Sequence, residues 1–540
     1  MTPFQSFRFW LRRAPAAQRA GALVASALVL TALVWVVGPP RDSGGAQQLS
    51  VGAAPPAASL GPGSEAGPTA PPQNGTGSGL AAPSLQAPSA PTTGPTGAAG
   101  PAPIVGGTSA TAPVTTPTGT VTHAPVGTAT KSAAGHSCPA VRGPVSGVTA
   151  SEIRIAVFLL ESAGPIGNSA LGLPTGAEQQ AKYQAIIDSI NASGGLWCRK
   201  VVPAFKTLNP ADPSALQQAC NDVVQTHPFA VLDSGDYTLA LALTTCYTHA
   251  HIPYFGVSPL TNTVVRQNYP YMFGTYVIDE ILHDTVFALR DRGFFGAGNG
   301  FKKLGYMYTD CFPELNTEVM QWLQQAGVPS SQVVSFDVGC PTTAFASPSV
   351  LEQAVLKFQQ NGVTHMTAND SIDFANFTHI AQQQGFKPKY GLPDISEFYV
   401  NGSAPPDPQN LAGAIAITGA RSGEPTTPGN VPSPGTARCD AVAHGQKTTY
   451  QSYLFGQICD STWMFAAAVA HAPTLSPAAL SAGLSAAGSV DFAYPEGPND
   501  FTGQGTTFGG QYWRAITFQS SCSCWQVTDP TFHHSYPGLS

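Results

Sequence analysis

The residues best suited to binding chemistry stand at the ends of short apolar runs. Asp233, Ser234, Gly235 and Asp236 follow Phe229–Leu232 and precede a helical pattern. Backbone N–H groups at a helix start, with a hydroxyl beside them, suit a carboxylate. A second apolar run, Ile252–Gly256, leads into Ser258, Pro259, Leu260 and Thr261. Serine and threonine at such places also serve as plain helix caps. The polar stretch Glu161–Thr175 (ESAGPIGNSALGLPT) follows another apolar run and reads equally as a binding loop or a crossover. Further along, Asp310, Cys311 and Phe312, then Asn369 and Asp370, then Asp394 with Glu397 nearby, occupy comparable positions, where aspartate is also a common turn residue. Asp370 and Asp373 form a carboxylate pair, read here as a solvated helix start. No G-x-S-x-G, H-E-x-x-H or G-x-x-x-x-G-K-[ST] pattern is present. The sequence therefore offers no catalytic residue and calls for no cofactor. His533–His534 and the Cys522-Ser523-Cys524 triplet lack zinc-ribbon spacing, so no metal site is expected.

These residues are positioned by strands that alternate with helices. Ile153–Leu160 (IRIAVFLL) is a short apolar run of the kind buried on both faces of a parallel sheet. A helix over Gly176–Ile190 follows, then strand Val201–Phe205. The next helix opens at Asp212-Pro213, an N-cap with proline at the first helical position. Strand Phe229–Leu232, helix Leu239–Ala250 and strand Ile252–Gly256 complete the first series. After Tyr276 the pattern restarts with helix Asp279–Arg292, strand Lys303–Tyr308, helix Glu314–Ala326, strand Val333–Phe336 and helix Val350–Gln360. Strand Thr364–Thr367, helix Ile372–Gln384 and strands Lys389–Leu392 and Ala414–Thr418 close it. Strands separated by such helices require right-handed crossovers and parallel pairing. The fold class predicted is α/β: two doubly wound parallel-sheet lobes around a central cleft, with ligands outside the carboxyl ends of the strands.

The ordered series TASEIRIAVF, GAEQQAKYQAIIDSINASGG, QQACNDVV, FAVLDSG, IPYFGVSP and YMFGTY resembles the extracytoplasmic solute-binding proteins of ABC importers, in the branched-chain amino acid (type I periplasmic binding protein) family. The likeness covers residues 148–540. It implies lobes assembled from discontinuous segments, placed at 148–277 plus 418–500 and at 278–417 plus 501–540, joined by three crossovers. It implies that Ser234, Ser258 and Thr261 hold the α-carboxylate of an amino acid and that Phe312 closes over it. Asn369 would contribute from the second lobe, and Asp394 would pair with the ligand ammonium. Gly274 stands where the family has a basic residue, a departure that bears on local contacts and ligand class.

All ten cysteines lie after residue 137. An even set points to disulfides and an oxidising compartment. Cys220 and Cys246 fall on helices that neighbour one another on one side of the first sheet, and the resembled family has a comparable bridge. Cys311 and Cys340 follow adjacent strands of the second lobe. Cys138 with Cys198 and Cys439 with Cys459 pair by elimination, leaving Cys522 with Cys524.

The segment before this body is of a different kind. Residues 20–38 carry no charge over 19 positions, roughly 28 Å of helix and enough to span a hydrocarbon core. Arg8, Arg12, Arg13 and Arg19 precede it and only Arg41 follows, which places the body outside the cell membrane on a single-pass anchor. A cleaved signal is the alternative, with Val36-Val37-Gly38-Pro39-Pro40 a poor cleavage site. Residues 39–137 hold four charges among Pro, Gly, Ala, Ser and Thr, a disordered linker spanning roughly 55 Å. Beyond residue 137 the chain has 18 basic and 29 acidic side chains, against a nucleic-acid partner.

The expected function is a membrane-tethered receptor for a small polar solute, an amino acid or related carboxylate or amide, with an ABC permease in the same membrane as partner. A bilobal sensor or scaffold that contacts a partner protein is the alternative, and a cleft hydrolase the third reading.

Overall fold

The structure, a computed structural model, describes residues 141–538 apart from 142, 162–167, 169–172, 210–211, 234–242, 244, 257–259, 341–345, 370–372, 394–405, 422–432, 443–452, 496 and 504–506. The apolar segment 20–38 and the linker 39–137 lie outside these residues. Among the described residues no helix is long and apolar enough to cross a membrane.

Strands β1 (Glu152–Leu160), β2 (Lys200–Leu208), β3 (Ala230–Asp233), β4 (Tyr254–Phe255) and β5 (Met272–Phe273) form a five-stranded sheet in the order β2-β1-β3-β4-β5. Every pairing in it is parallel. β1 is buried throughout from Ile155 to Leu160, as its unbroken apolar run predicts. The crossover helices α1 (Gly176–Ala192) and α2 (Pro213–Thr226) begin where predicted, α2 at its Asp212-Pro213 signal. Thr175 and Glu178 form a reciprocal capping box on α1, and the Asp212 carboxylate accepts the Ser214 and Ala215 N–H groups of α2. The short helix α3 (Asn262–Gln267) precedes β5.

The second sheet is built from β6 (Leu304–Tyr308), β7 (Val333–Asp337), β8 (His365–Ala368), β9 (Lys389–Pro393) and β10 (Ile415–Thr418). Helices α4 (Ile278–Asp291), α5 (Pro313–Gln325), α6 (Pro348–Gln360) and α7 (Phe374–Gln383) accompany them. These five strands are parallel, as predicted. The sheet as a whole is not, which corrects the all-parallel expectation. After β10 come β11 (Ser489–Val490) and β12 (Asn499–Asp500), an antiparallel pair of their own. Past residue 500 the chain adds β13 (Tyr512–Gln519) antiparallel to β10 and β14 (Cys524–Val527) antiparallel to β13, in the order β14-β13-β10-β9-β8-β6-β7. A tight hairpin needs no crossover helix, so antiparallel pairing closes this edge.

Between β10 and β13 the chain returns to the first sheet through α8 (Pro434–Ala441), α9 (Tyr453–His471) and α10 (Leu480–Ala487). α9 is apolar almost all round because it is buried almost all round. Phe455, Ile458, Met464 and Phe465 share one core with Ile153, Val157, Phe229 and Phe273, and the Phe465 ring meets Phe255 edge to face at 5.5 Å. α10 crosses close beside α9 because Gly483 has no side chain: a Cβ there would stand 2.0 Å from the Ala468 carbonyl oxygen.

Four disulfides join the pairs expected: Cys220–Cys246, Cys311–Cys340, Cys439–Cys459 and Cys522–Cys524. Cys198 is disulfide-bonded as well, and its expected partner Cys138 lies outside the described residues.

Candidate functional site at the strand ends and the hinge

β5 ends at Phe273 and the chain passes through Gly274–Val277 into α4, leaving the first sheet for the elements of the second. β10 ends at Thr418 and passes through 419–421 toward α8, in the opposite direction. Residues 494–511 make the third passage. The three are hydrogen-bonded side by side. Gly274 N–H donates to Thr507 O at 3.0 Å, Gly509 and Gly510 N–H donate to Thr275 O, and Arg421 N–H donates to Tyr494 O at 2.7 Å. The Tyr276 and Tyr494 rings stack at 6.3 Å, with their hydroxyls 3.4 Å apart. The carboxyl ends of β5 and β10 thus run directly into one hinge, and the strand ends around them are where a solute can be reached from both sheets.

The backbone here admits no side chain at residue 274. A Cβ on Gly274 would lie 2.1 Å from the Phe508 ring, which explains glycine at a position where a basic residue is expected from resemblance.

Each sheet braces its strand-end loops with side-chain amides, buried in the first and half-buried in the second. After β1, the side-chain amide of Asn168 donates to the carbonyls of Leu160 (2.7 Å) and Pro174 (2.8 Å), and Gln179 both donates to Leu160 O and accepts its N–H. After β3, Asp233 accepts the Tyr254 hydroxyl at 2.9 Å. In the second sheet Asn369 accepts the Thr309 N–H at 3.1 Å and donates to Asn316 Oδ1 at 2.8 Å, while Asn316 Nδ2 donates to Thr309 O. Loops following β6 and β8 are therefore held together before any ligand arrives, the preorganisation that tight binding requires.

Compared with known proteins, the sequence matches the family described as periplasmic binding protein over residues 152–519. The chain belongs to the periplasmic binding protein family. No curated protein matches it in sequence. Among solved structures it is similar to the branched-chain amino acid transporter substrate-binding protein of Streptococcus pneumoniae, solved with isoleucine. Identity is 16%, the TM-score 0.51, and 71% of this chain and 100% of that chain are covered. It is similar also to a solute-binding protein of an ABC transporter from Rhodopseudomonas palustris, solved with 3,4-dihydroxybenzoic acid, at 14% identity, TM-score 0.51 and coverage of 71% and 98%. A third is the fatty acid ABC transporter substrate-binding protein of Thermomonospora curvata, at 14%, 0.50, and 73% and 95%. At these identities the likeness is one of fold.

In this periplasmic binding protein Ser234, Ser258 and Asp394 lie outside the described residues. Thr261 is fully buried and its hydroxyl accepts the Val264 N–H, so it caps α3. The first N–H of α3, that of Asn262, is taken by a carboxylate from within the chain, Asp279 of α4, at 2.9 Å. Phe312 is 6% exposed and belongs to the core that includes Leu315 and Trp322, and Tyr276 is 3% exposed. Neither ring stands open as a lid. Asn369 bridges two loops, as described above.

Sequence reading missed several groups around the hinge of the binding protein. Arg421 and Arg514 flank the Phe532 ring, at 5.3 and 4.8 Å from its centroid, and Arg421 Nε donates to Pro495 O. Arg514 is pushed down to about 10, by burial and then by Arg421. β10 and β13 place this cationic pair through the register Thr418↔Arg514, and no local pattern signals it. A cavity of about 10 Å³ beside Tyr276, Glu280, Asp284, Trp513 and Ser535 has room for about one water and for no solute.

Glu280 is raised to about 8, by burial first and by the neighbouring Asp284 next, and Asp279 to about 6, by burial. Ser535 hydrogen-bonds Glu280, and Asp284 accepts the Tyr536 N–H. A carboxyl group whose folded value is raised contributes stability that is present below its unfolded value and lost as pH climbs through the folded one. Glu280→Gln is therefore expected to gain on the parent protein as pH rises from 5 to 8. Thermal melts at pH 5, 6.5 and 8 test this, and a constant difference between the two proteins across that range refutes it.

Proposed function

We propose that this periplasmic binding protein is an extracytoplasmic receptor that closes on a small polar solute at the carboxyl ends of its two sheets. The reading extends to a non-catalytic component of ABC-type uptake that needs no cofactor. Its lobes are placed at 148–277 plus 418–500 and at 278–417 plus 501–540. One observation supports it above the others: β5 of the first sheet and β10 of the second both run at their carboxyl ends into a hinge of three hydrogen-bonded passages, an arrangement that permits closure as a shift of population on ligand binding. Amino acids, aromatic acids and short fatty acids are the classes to try, the neighbours having been solved with or named for members of each. Ser234, Ser258 and Asp394 remain the proposed contacts, with Thr261 and Asn369 shaping the loops that hold them and Phe312 backing them from the core.

We further place the body on the outer side of a membrane, held by residues 20–38 on the leash of 39–137, within reach of a permease in the same bilayer. Resistance of the full chain to alkaline extraction from membranes tests the anchor independently of ligand binding.

The functional test is native mass spectrometry of the full chain released from membranes, followed by thermal shifts with the three solute classes. A true ligand at a hundredfold excess over its Kd stabilises the folded state by about 2.7 kcal/mol. Absence of any co-purifying solute, together with no shift across all three classes, would replace the receptor by a bilobal scaffold or sensor.

A further inference from the structure

The four described disulfides are not equivalent, and one of them does little to hold the fold. Cys439 and Cys459 are completely buried. Cys220–Cys246 and Cys311–Cys340 tie together segments 26 and 29 residues apart. Cys522–Cys524 spans a separation of 2, at the tip of the β13–β14 hairpin. On the chain-entropy account the stabilisation from a crosslink shrinks with the loop it closes, so this bridge contributes the least of the set. The hairpin has other supports. Ile516, Thr517, Phe518 and Gln519 pair with Val527, Gln526, Trp525 and Cys524, and Trp525, 1% exposed, meets Phe518 edge to face at 5.4 Å.

Three further features make the bridge reactive. Cys522 and Ser523 are exposed and Cys524 is half-buried, so the Cys522 sulfur is the one within reach. Ser523, the single residue inside the ring, has φ of 51°, a left-handed conformation that disfavours an L-residue. Cys340 is exposed as well, but the left-handed residue beside it is Gly339, which carries no such cost. Finally, no charged residue occurs between Arg514 and Asp529, so nothing in the hairpin repels an incoming thiolate, and Gln526 Nε2 lies 3.8 Å from the Cys522 sulfur as a donor for charge developing there.

We propose that Cys522–Cys524 is a thiol–disulfide exchange site, taking thiolate nucleophiles at Cys522. In the first step the thiolate attacks Cys522 Sγ, a mixed disulfide forms and Cys524 leaves as thiolate. A second thiol equivalent then attacks the incoming sulfur and releases the Cys522 thiolate. Two electrons pass from the pair of thiols to the protein, the thiols leave as their own disulfide, and their two protons end on Cys522 and Cys524 or in the buffer. The site sits at the far pole of the second sheet. β13 runs antiparallel to β10, with Thr418 opposite Arg514 and Ile415 opposite Thr517, so the tip lies beyond the amino end of β10, away from the hinge. Exchange there leaves the proposed solute site untouched, and the inference stands or falls apart from the receptor reading.

Glutathione is the probe. The oxidised full chain is incubated with reduced glutathione at pH 8, quenched with an alkylating agent at intervals, and its cysteine peptides are quantified by mass spectrometry. Cys522 and Cys524 should be modified at least about tenfold faster than Cys220–Cys246 and Cys311–Cys340, with Cys439–Cys459 intact and the far-ultraviolet circular dichroism unchanged. With oxidised glutathione, Cys524→Ser should form a mixed disulfide at Cys522, and Cys522→Ser should react much more slowly at Cys524. Modification no faster than at the other partly exposed bridges, loss of native structure when the bridge opens, or equal reaction of the two serine variants would each overturn the assignment.

Discussion

Replacing Asp460 with alanine should destabilise the folded chain by about 4 kcal/mol, since two buried donors would each lose their acceptor. Asp460 sits on α9 with no exposure. Its two oxygens accept the N–H groups of Ala493 (2.7 Å) and Tyr494 (2.8 Å). Burial raises its carboxyl to about 7 against the pull of those same hydrogen bonds, so the site is one where removing the acceptor strands its partners rather than relieving them. The consequence reaches the hinge. Tyr494 stacks on Tyr276 and accepts the Arg421 N–H, so amides of the three passages should exchange faster in the variant than those of β8 and β9. Asp460→Asn keeps one acceptor and turns an NH2 toward the other donor, and should fall between alanine and the parent. Equilibrium denaturation measures all three. A loss below about 1 kcal/mol in the alanine variant would mean that residues 493–494 are anchored by something else.

The second large effect is expected from the double substitution of Cys439 and Cys459 by alanine. The bridge joins α8 to α9 across a separation of 20 residues, and loop closure of that length corresponds to about 3 kcal/mol. Both sulfurs lie in the core that α9 shares with the first sheet, so lost packing adds to the lost crosslink. The same experiment on Cys522 and Cys524 should cost far less. If the two pairs prove equal, the distinction between a structural and a reactive disulfide collapses.

The expected ordering of these effects reflects where the chain's polar groups are buried. Lys182 is another example. It is fully buried in α1, donates to the Cys439 carbonyl at 3.0 Å and is held at about 8 by burial, with Asp440 and Asp460 working in the opposite direction. α1, α8 and α9 are thereby joined through one cation, the Cys439 carbonyl and two carboxylates, over sequence distances that no local pattern spans.

Much of the scaffold was legible because its signals are local. Ile155–Leu160 reads as a buried strand from six adjacent side chains, and Asp212-Pro213 marks the start of α2 from two. β4 lies inside the predicted run Ile252–Gly256, whereas the two-residue β5 and the six-residue α3 are too short for periodicity to register. α9 has the opposite difficulty: it is surrounded by core, has no polar face, and so presents no amphipathic pattern. The antiparallel edge was missed because β13 pairs with β10, almost a hundred positions earlier, by a choice of neighbour that the strand's own residues do not encode.

The sequence by itself determined the alternation of strands and helices and pointed to an oxidising compartment, because each follows from residue type, spacing or the order of elements. Of the four described disulfide pairings it placed Cys220–Cys246 and Cys311–Cys340 on neighbouring elements and reached Cys439–Cys459 and Cys522–Cys524 only by elimination. Tertiary structure alone decided what the candidate binding residues touch. It put Asp279 on the Asn262 amide, turned Phe312 into the core, and set Arg421 beside Arg514 across two strands. These contacts join residues far apart in the chain, and their energies depend on burial, which arises only when the sheets, the helices and the three passages between them have assembled.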